Sequence, residues 1–208
     1  MPRKPDLESA YDLSSPEDAK ALYADWAESY DSGFVAEHGY VLPEEVARGF
    51  HAAGGAGPVL DVGAGTGLVG EALAARHVGP LEGTDISAEM LAVASQKRCY
   101  ARTFLANITR PIDIADGTYG GVVSAGTFTL GHLGPEPLGE LIRITLPGGV
   151  LAIAVNEEHW HAAGFGAAFE GFGAAITDLA QTFIPIYAAG AAHAHGGDNA
   201  LLVTFKKA

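Results

Sequence analysis

The sequence predicts an α/β protein with a doubly wound, mostly parallel sheet of seven strands that ends in an antiparallel hairpin. Three observations carry that expectation. Short apolar strand signals alternate with amphipathic helical signals from residue 58 to residue 155. A glycine-rich loop, DVGAGTGLVG (61–70), leads from the first strand into the first helix of that run. The last two strand signals are joined by AAHAHGGDN, which suits a hairpin and is too short for a crossover helix.

The elements follow in order. SSPEDAKALYADWAESYD begins with Ser15 as N-cap and Pro16 at the first helical position. Its apolar residues Ala19, Leu22, Tyr23, Trp26, Ala27 and Tyr30 fall on one helical face. PEEVARGFHAAG predicts a second helix, stopped by Gly54 and Gly55. PVLDV, PLEGTDI, YARTFLAN, GVVSAG and VLAIAV predict five strands. Between them, TGLVGEALAARH, SAEMLAVASQKR (capped by Ser87) and PEPLGELIRITL predict helices, and ITRPIDIADGTYG a loop. HAAGFGAAFEGFGAAITDLA is expected to be helical, although its glycines weaken it. TFIPIYAAG and ALLVTFKKA complete the hairpin. One domain is expected over 1–208: a loose arm (1–14), two helices (15–55) and the sheet core (56–208).

Composition narrows the function. With 12 basic and 25 acidic residues the net charge is −13, which disfavours a nucleic-acid partner because phosphate binding draws on clustered Lys and Arg. The single cysteine, Cys99, excludes an internal disulfide and an all-cysteine zinc site. The start MPRKPDLESAYD has no apolar core, and no apolar run approaches the roughly 20 residues of a membrane span. A cytoplasmic, membrane-free protein is expected, as monomer or homodimer.

Which cofactor the glycine loop serves is a question of frame. Taken from Gly65, the letters fit the dinucleotide fingerprint G-x-G-x-x-G through Gly67 and Gly70, but two residues too late after the strand. Taken from Gly63, the third position is Leu68. Asp61-x-Gly63-x-Gly65-x-Gly67 fits without compromise. The next strand ends in Asp85, 22 positions after Gly63, where a carboxylate can accept both hydroxyls of a ribose.

This arrangement resembles the class I S-adenosylmethionine (SAM)-dependent methyltransferases, Rossmann-like enzymes, over roughly residues 16–207. YADWAESYD, PEEVARGF and SAGTFTLGHLG are similar to the small-molecule subgroup around the Williams–Beuren-region methyltransferase-like protein. The resemblance implies SAM as cofactor and S-adenosylhomocysteine (SAH) as product. It implies that Asp61 and the backbone at Gly63, Gly65 and Gly67 hold the amino-acid end of the cofactor. Asp85 would then take the ribose, Ile86 and Ile108 would flank the adenine, and Ser124 would end the fourth strand beside the cofactor. It also implies that the N-terminal helices form a lid that brings Trp26 and Tyr30 to the cofactor. Asn107 stands where the family often has Asp, with a carbonyl that can still accept from the adenine amino group. Gly120 replaces an Asp that relatives usually carry.

Two histidines are catalytic candidates. His132, in the loop after the fourth strand, is the better general base, sharing that loop with Thr127 and Thr129. His159, in EEHWH after the fifth strand, is placed to line the substrate pocket with Trp160. His159 and His161 lack the i, i+4 spacing of helical metal ligands, and no metal is expected. Methyl transfer to a small-molecule acceptor is the leading expectation. The alternatives are a nicotinamide (NAD(P))-dependent oxidoreductase, for which no Tyr-x-x-x-Lys pair follows the fourth strand, and a SAM-binding regulatory protein without activity.

Overall fold

The structure is a computed structural model that describes residues 7, 16–130 and 132–208. Most of the expected N-terminal arm and the N-cap Ser15 lie outside the described residues. Leu7, inside that arm, is buried.

Seven strands form one sheet in the order β3-β2-β1-β4-β5-β7-β6: Val59–Val62, Leu81–Asp85, Arg102–Leu105, Tyr119–Phe128, Thr145–Asn156, Ile176–Pro185 and Asn199–Lys207, numbered β1 to β7. β1 to β5 are mutually parallel, and β7 enters antiparallel between β5 and β6. Alternating side chains feed two apolar layers. Val150, Ala152 and Ala154 of β5 face one layer with Phe50, Val69 and Leu73; Leu151, Ile153 and Val155 face the other with Leu138, Leu141 and Phe165.

The helices that matter for the site are α1 (Pro16–Trp26), α2 (Leu42–Ala52), α3 (Leu68–Ala75), α4 (Ala88–Gln96), α5 (Leu138–Ile144), α6 (Glu157–Ala162) and α7 (Phe165–Phe172). α1 does not run unbroken to Tyr30. After Trp26 the chain tightens into a 3₁₀ turn (Ala27–Ser29) and then widens into a π turn (Asp31–Val35), which places Tyr30 at the junction. Ser87 caps α4 as expected, its Oγ accepting from the Met90 N–H at 3.2 Å.

Three expectations fail locally. Thr145 and Leu146 are not helical but open β5, which runs through Pro147–Gly149. Ile176–Ala180 is strand and not helix: the chain turns at Gly173 (φ +49°), and Ile176 pairs with Lys207. β4 also runs past GVVSAG to Phe128, with its pairing to β5 shifted around Gly126 (φ +80°). Gly120 has a steric reason, since a Cβ there would lie 2.9 Å from the carbonyl oxygens of Ala56 and Gly57. No helix among the described residues is long and apolar enough to cross a membrane.

Candidate active site

A cavity of about 200 Å³ opens at the carboxyl ends of β1, β2 and β4. Its floor is the glycine loop. Gly63, Gly65 and Gly67 all take positive φ (68°, 52° and 92°), and the N–H groups of Gly63 and Ala64 both donate to the Thr84 carbonyl at 2.9 Å. A Cβ on Gly63 would lie 1.9 Å from Thr127 Oγ1, so the approach of β4 leaves room only for glycine.

Asp85 lines the cavity beside this loop. Its two oxygens accept separately, Oδ2 from the Gly65 N–H and Oδ1 from the Ser87 N–H, both at 2.9 Å. Burial raises its pKa and these backbone donors oppose the rise. With the Ile86 N–H as a further donor, the carboxylate still keeps acceptor capacity for a ribose hydroxyl. Ser124 and Thr127 donate to the Val62 carbonyl at 2.8 and 3.1 Å, which ties β4 to β1 beneath the site. Ser124 is fully buried and does not line the cavity.

Asp61 lies below the loop, is 1% exposed and, like Gly67, does not itself line the cavity. Tyr100 donates its hydroxyl to Oδ2 at 2.6 Å, whereas Oδ1 is buried with no partner. Burial pushes the Asp61 carboxyl up to about 7; the Tyr100 bond opposes this and the Asp85 charge adds to it. Gly70 finds its explanation here, because a Cβ on it would lie 2.3 Å from the Tyr100 ring. Tyr100 was not singled out from the sequence. Its signal is distributed over glycines that become neighbours only in the fold.

Ile86, Asn107 and Ile108 line the same cavity beyond Asp85. The Asn107 carbonyl does not stand free as expected. Oδ1 accepts from the Thr109 N–H at 3.0 Å and from the Thr109 hydroxyl at 2.7 Å, an Asx turn that fills both lone pairs. The amide nitrogen is the group left to face a ligand.

His132 lines the opposite part of the cavity. Its Nδ1 lies 3.1 Å from the Leu130 carbonyl, which can only accept, so the proton is on Nδ1 and the lone pair on Nε2. Nε2 is buried with no partner. Burial pushes the imidazole below its ordinary value, keeping it neutral near pH 7. His159 does not line the cavity. Its Nε2–H donates to the Leu133 carbonyl at 2.8 Å, so it anchors the loop that carries His132.

The roof is aromatic. Tyr23, Tyr30, Phe34, Tyr40 and Tyr187 line the cavity, the last two paired across an isolated antiparallel bridge. Trp26 is buried behind them and does not reach the cavity, meeting Tyr30 and Phe34 edge-on at 5.4 and 5.1 Å. Asp31 pins the roof to the floor: it accepts from the Thr66 hydroxyl and pairs with Lys97, both at 2.6 Å. Among the described residues, no group of three or more His, Cys, Asp or Glu is placed to hold a metal ion.

The sheet order and its antiparallel seventh strand define the fold of the class I methyltransferases. Residues 59–149 match the family described as "Methyltransferase domain". The TehB-like SAM-dependent methyltransferase of Corynebacterium glutamicum ATCC 13032 Kitasato is similar at a TM-score of 0.63 and 22% identity, over 90% of this chain and 99% of that one. The 1,6-didemethyltoxoflavin-N1-methyltransferase of Burkholderia thailandensis, solved with its substrate and SAH, gives 0.62 and 18% over 94% and 91%. The [4+2]-cyclase SpnF gives 0.65 and 16% over 94% and 97%. No curated protein matches the sequence.

Proposed function

We propose that the chain is a SAM-dependent methyltransferase acting on a small-molecule acceptor. One observation carries the reading: a single cavity holds Asp85, with acceptor capacity left for a ribose, and His132, with an unpartnered Nε2. The residues present fit the cofactor. The buried, unpartnered Asp61 Oδ1 suits its ammonium group, Gly65, with open space where a Cβ would stand, leaves the backbone open to close approach, and Ile86 and Ile108 offer apolar walls for the adenine. When bound, SAM supplies an electrophilic methyl group whose bond to sulfur breaks as the bond to the acceptor forms.

The chain's own part is to orient, exclude water and move one proton. Asp85 and the glycine loop fix the cofactor, and the aromatic roof excludes water. His132 Nε2 accepts the acceptor's proton while Nδ1 stays bonded to the Leu130 carbonyl. The subgroup resemblance of YADWAESYD and SAGTFTLGHLG, and a cavity of about 200 Å³ lined largely by apolar and aromatic residues, support a small acceptor. The cyclase among the fold neighbours means that the fold alone does not dictate methyl transfer, so the reading rests on the site.

Calorimetry with SAM, SAH and NAD tests the reading. SAM and SAH should bind and NAD should not. Binding of NAD without SAH would overturn it, and SAM binding with no acceptor across a broad metabolite panel would favour the regulatory alternative.

A further inference from the structure

The geometry points to an acceptor that enters the cavity as a small organic cation, an amine whose ammonium group sits against the aromatic roof beside His132. This inference rests on the methyltransferase reading and deepens it. The rings form a connected wall: Tyr30 stacks on Phe34 at 5.0 Å, Phe34 meets Tyr40 at 5.5 Å, and Tyr40 meets Tyr187 at 6.0 Å. Tyr23 joins Tyr30 at 6.2 Å on one side and the His132 ring at 5.9 Å on the other. The Tyr40 hydroxyl reaches over the end of β4, 2.8 Å from where a Cβ on Gly126 would stand. The aromatic wall therefore extends over the strand end that borders the glycine loop, and continues to the imidazole.

Charge decides what such a wall can accept. Among the described residues lining the cavity there is no Lys or Arg, so the protein offers a carboxylate or phosphate on the acceptor no counter-ion. A chain of net charge −13 also repels anions and concentrates cations at its surface. Ring faces carry negative potential and bind ammonium groups within about 6 Å of their centroids. Tyrosine hydroxyls add acceptors for ammonium N–H bonds.

The proton balance is local. An ammonium nitrogen has no lone pair until it gives up one proton, and His132 Nε2 is the unpartnered acceptor in the wall. The proton passes from nitrogen to Nε2, the nitrogen regains its lone pair, and the imidazole leaves the step as an imidazolium. Nδ1 retains its own proton throughout.

Binding to the SAH-loaded protein tests this without turnover, since SAH lacks the sulfonium charge. Phenethylamine should bind at least about tenfold more tightly than 3-phenylpropanoate, a carboxylate of similar shape. Tyr40→Phe should keep that preference and Tyr40→Leu should lose it, with SAH affinity reporting that each variant is folded. Equal or tighter binding of 3-phenylpropanoate overturns the inference. So does a tight preference for SAM over SAH with no amine binding, which would assign the roof to the cofactor's own charge. If SAH itself fails to bind the wild-type protein, the methyltransferase reading falls first.

Discussion

The floor and the roof of the cavity are built by different means. Most polar contacts of the floor involve backbone: Gly65 and Ser87 N–H on Asp85, the Thr84 carbonyl under Gly63 and Ala64, the Leu130 carbonyl on His132; Asp61, held by the Tyr100 hydroxyl, is the exception. All of these residues fall within the stretch that matches the methyltransferase domain, residues 59–149. The roof lies outside that stretch and is held by ring contacts, by the Asp31 contacts to Thr66 and Lys97, and by main-chain bonds between its two segments. Val41 N–H donates to the Ile186 carbonyl at 3.0 Å, and Ala188 N–H to the Gly39 carbonyl at 2.7 Å. The floor is thus fixed largely by chain geometry, whereas the roof can be relined by exchanging aromatic side chains.

Substitutions can break or sharpen that contrast. The largest effect belongs to His132, the group at which floor and roof meet. His132→Ala should lower kcat by about 10²–10⁴-fold with an accepted substrate and leave SAH affinity unchanged. A kcat within a few-fold of wild type would remove the histidine from the chemistry. On the floor, Asp85→Ala should weaken SAH binding by about tenfold or more, since a hydrogen bond to a buried charge is worth about 1.5–3 kcal/mol. Unchanged affinity in the folded variant would misplace the ribose.

The pH dependence of the floor follows from Asp61. Its folded pKa is raised from 3.8 to about 7, so its contribution to stability is fully present below 3.8 and is lost as pH rises through about 7. A cofactor ammonium at Oδ1 favours the ionised form. SAH affinity should therefore rise about tenfold between about pH 6 and about pH 8, with proton release below neutrality that calorimetry in two buffers of different ionisation enthalpy would detect. A flat profile would mean that Asp61 does not meet the ammonium group. The smallest effect belongs to the roof. Trp26→Phe should cost about 1–2 kcal/mol in denaturant unfolding and leave SAH affinity within about twofold, because Trp26 supports Tyr30 from behind. A large loss of SAH affinity would bring the indole into the site.

The same division explains what was legible in the sequence. The strand and helix order and the places of Asp85 and His132 at or just past strand ends could be read because each is encoded in a short run of apolar and turn residues. Asn107 was misjudged because Thr109, two residues on, takes both carbonyl lone pairs. His159 follows the expected strand, but its ring turns to the Leu133 carbonyl, a contact that no local pattern announces. Tyr40 and Tyr187 are separated by 146 positions and read singly as ordinary aromatics. Only the pairing of β7 between β5 and β6 brings Tyr187 to the N-terminal segment.

That bridge also orders events in time. A ribosome emits the floor, through His132, before it emits Tyr187 or the strand at 199–207 that locks the hairpin into the sheet. Until then a nascent chain can own a cofactor seat but no chamber above it. The contact that completes the enclosure is thus non-local and follows the floor in synthesis, so an intact roof requires the final strand in its place.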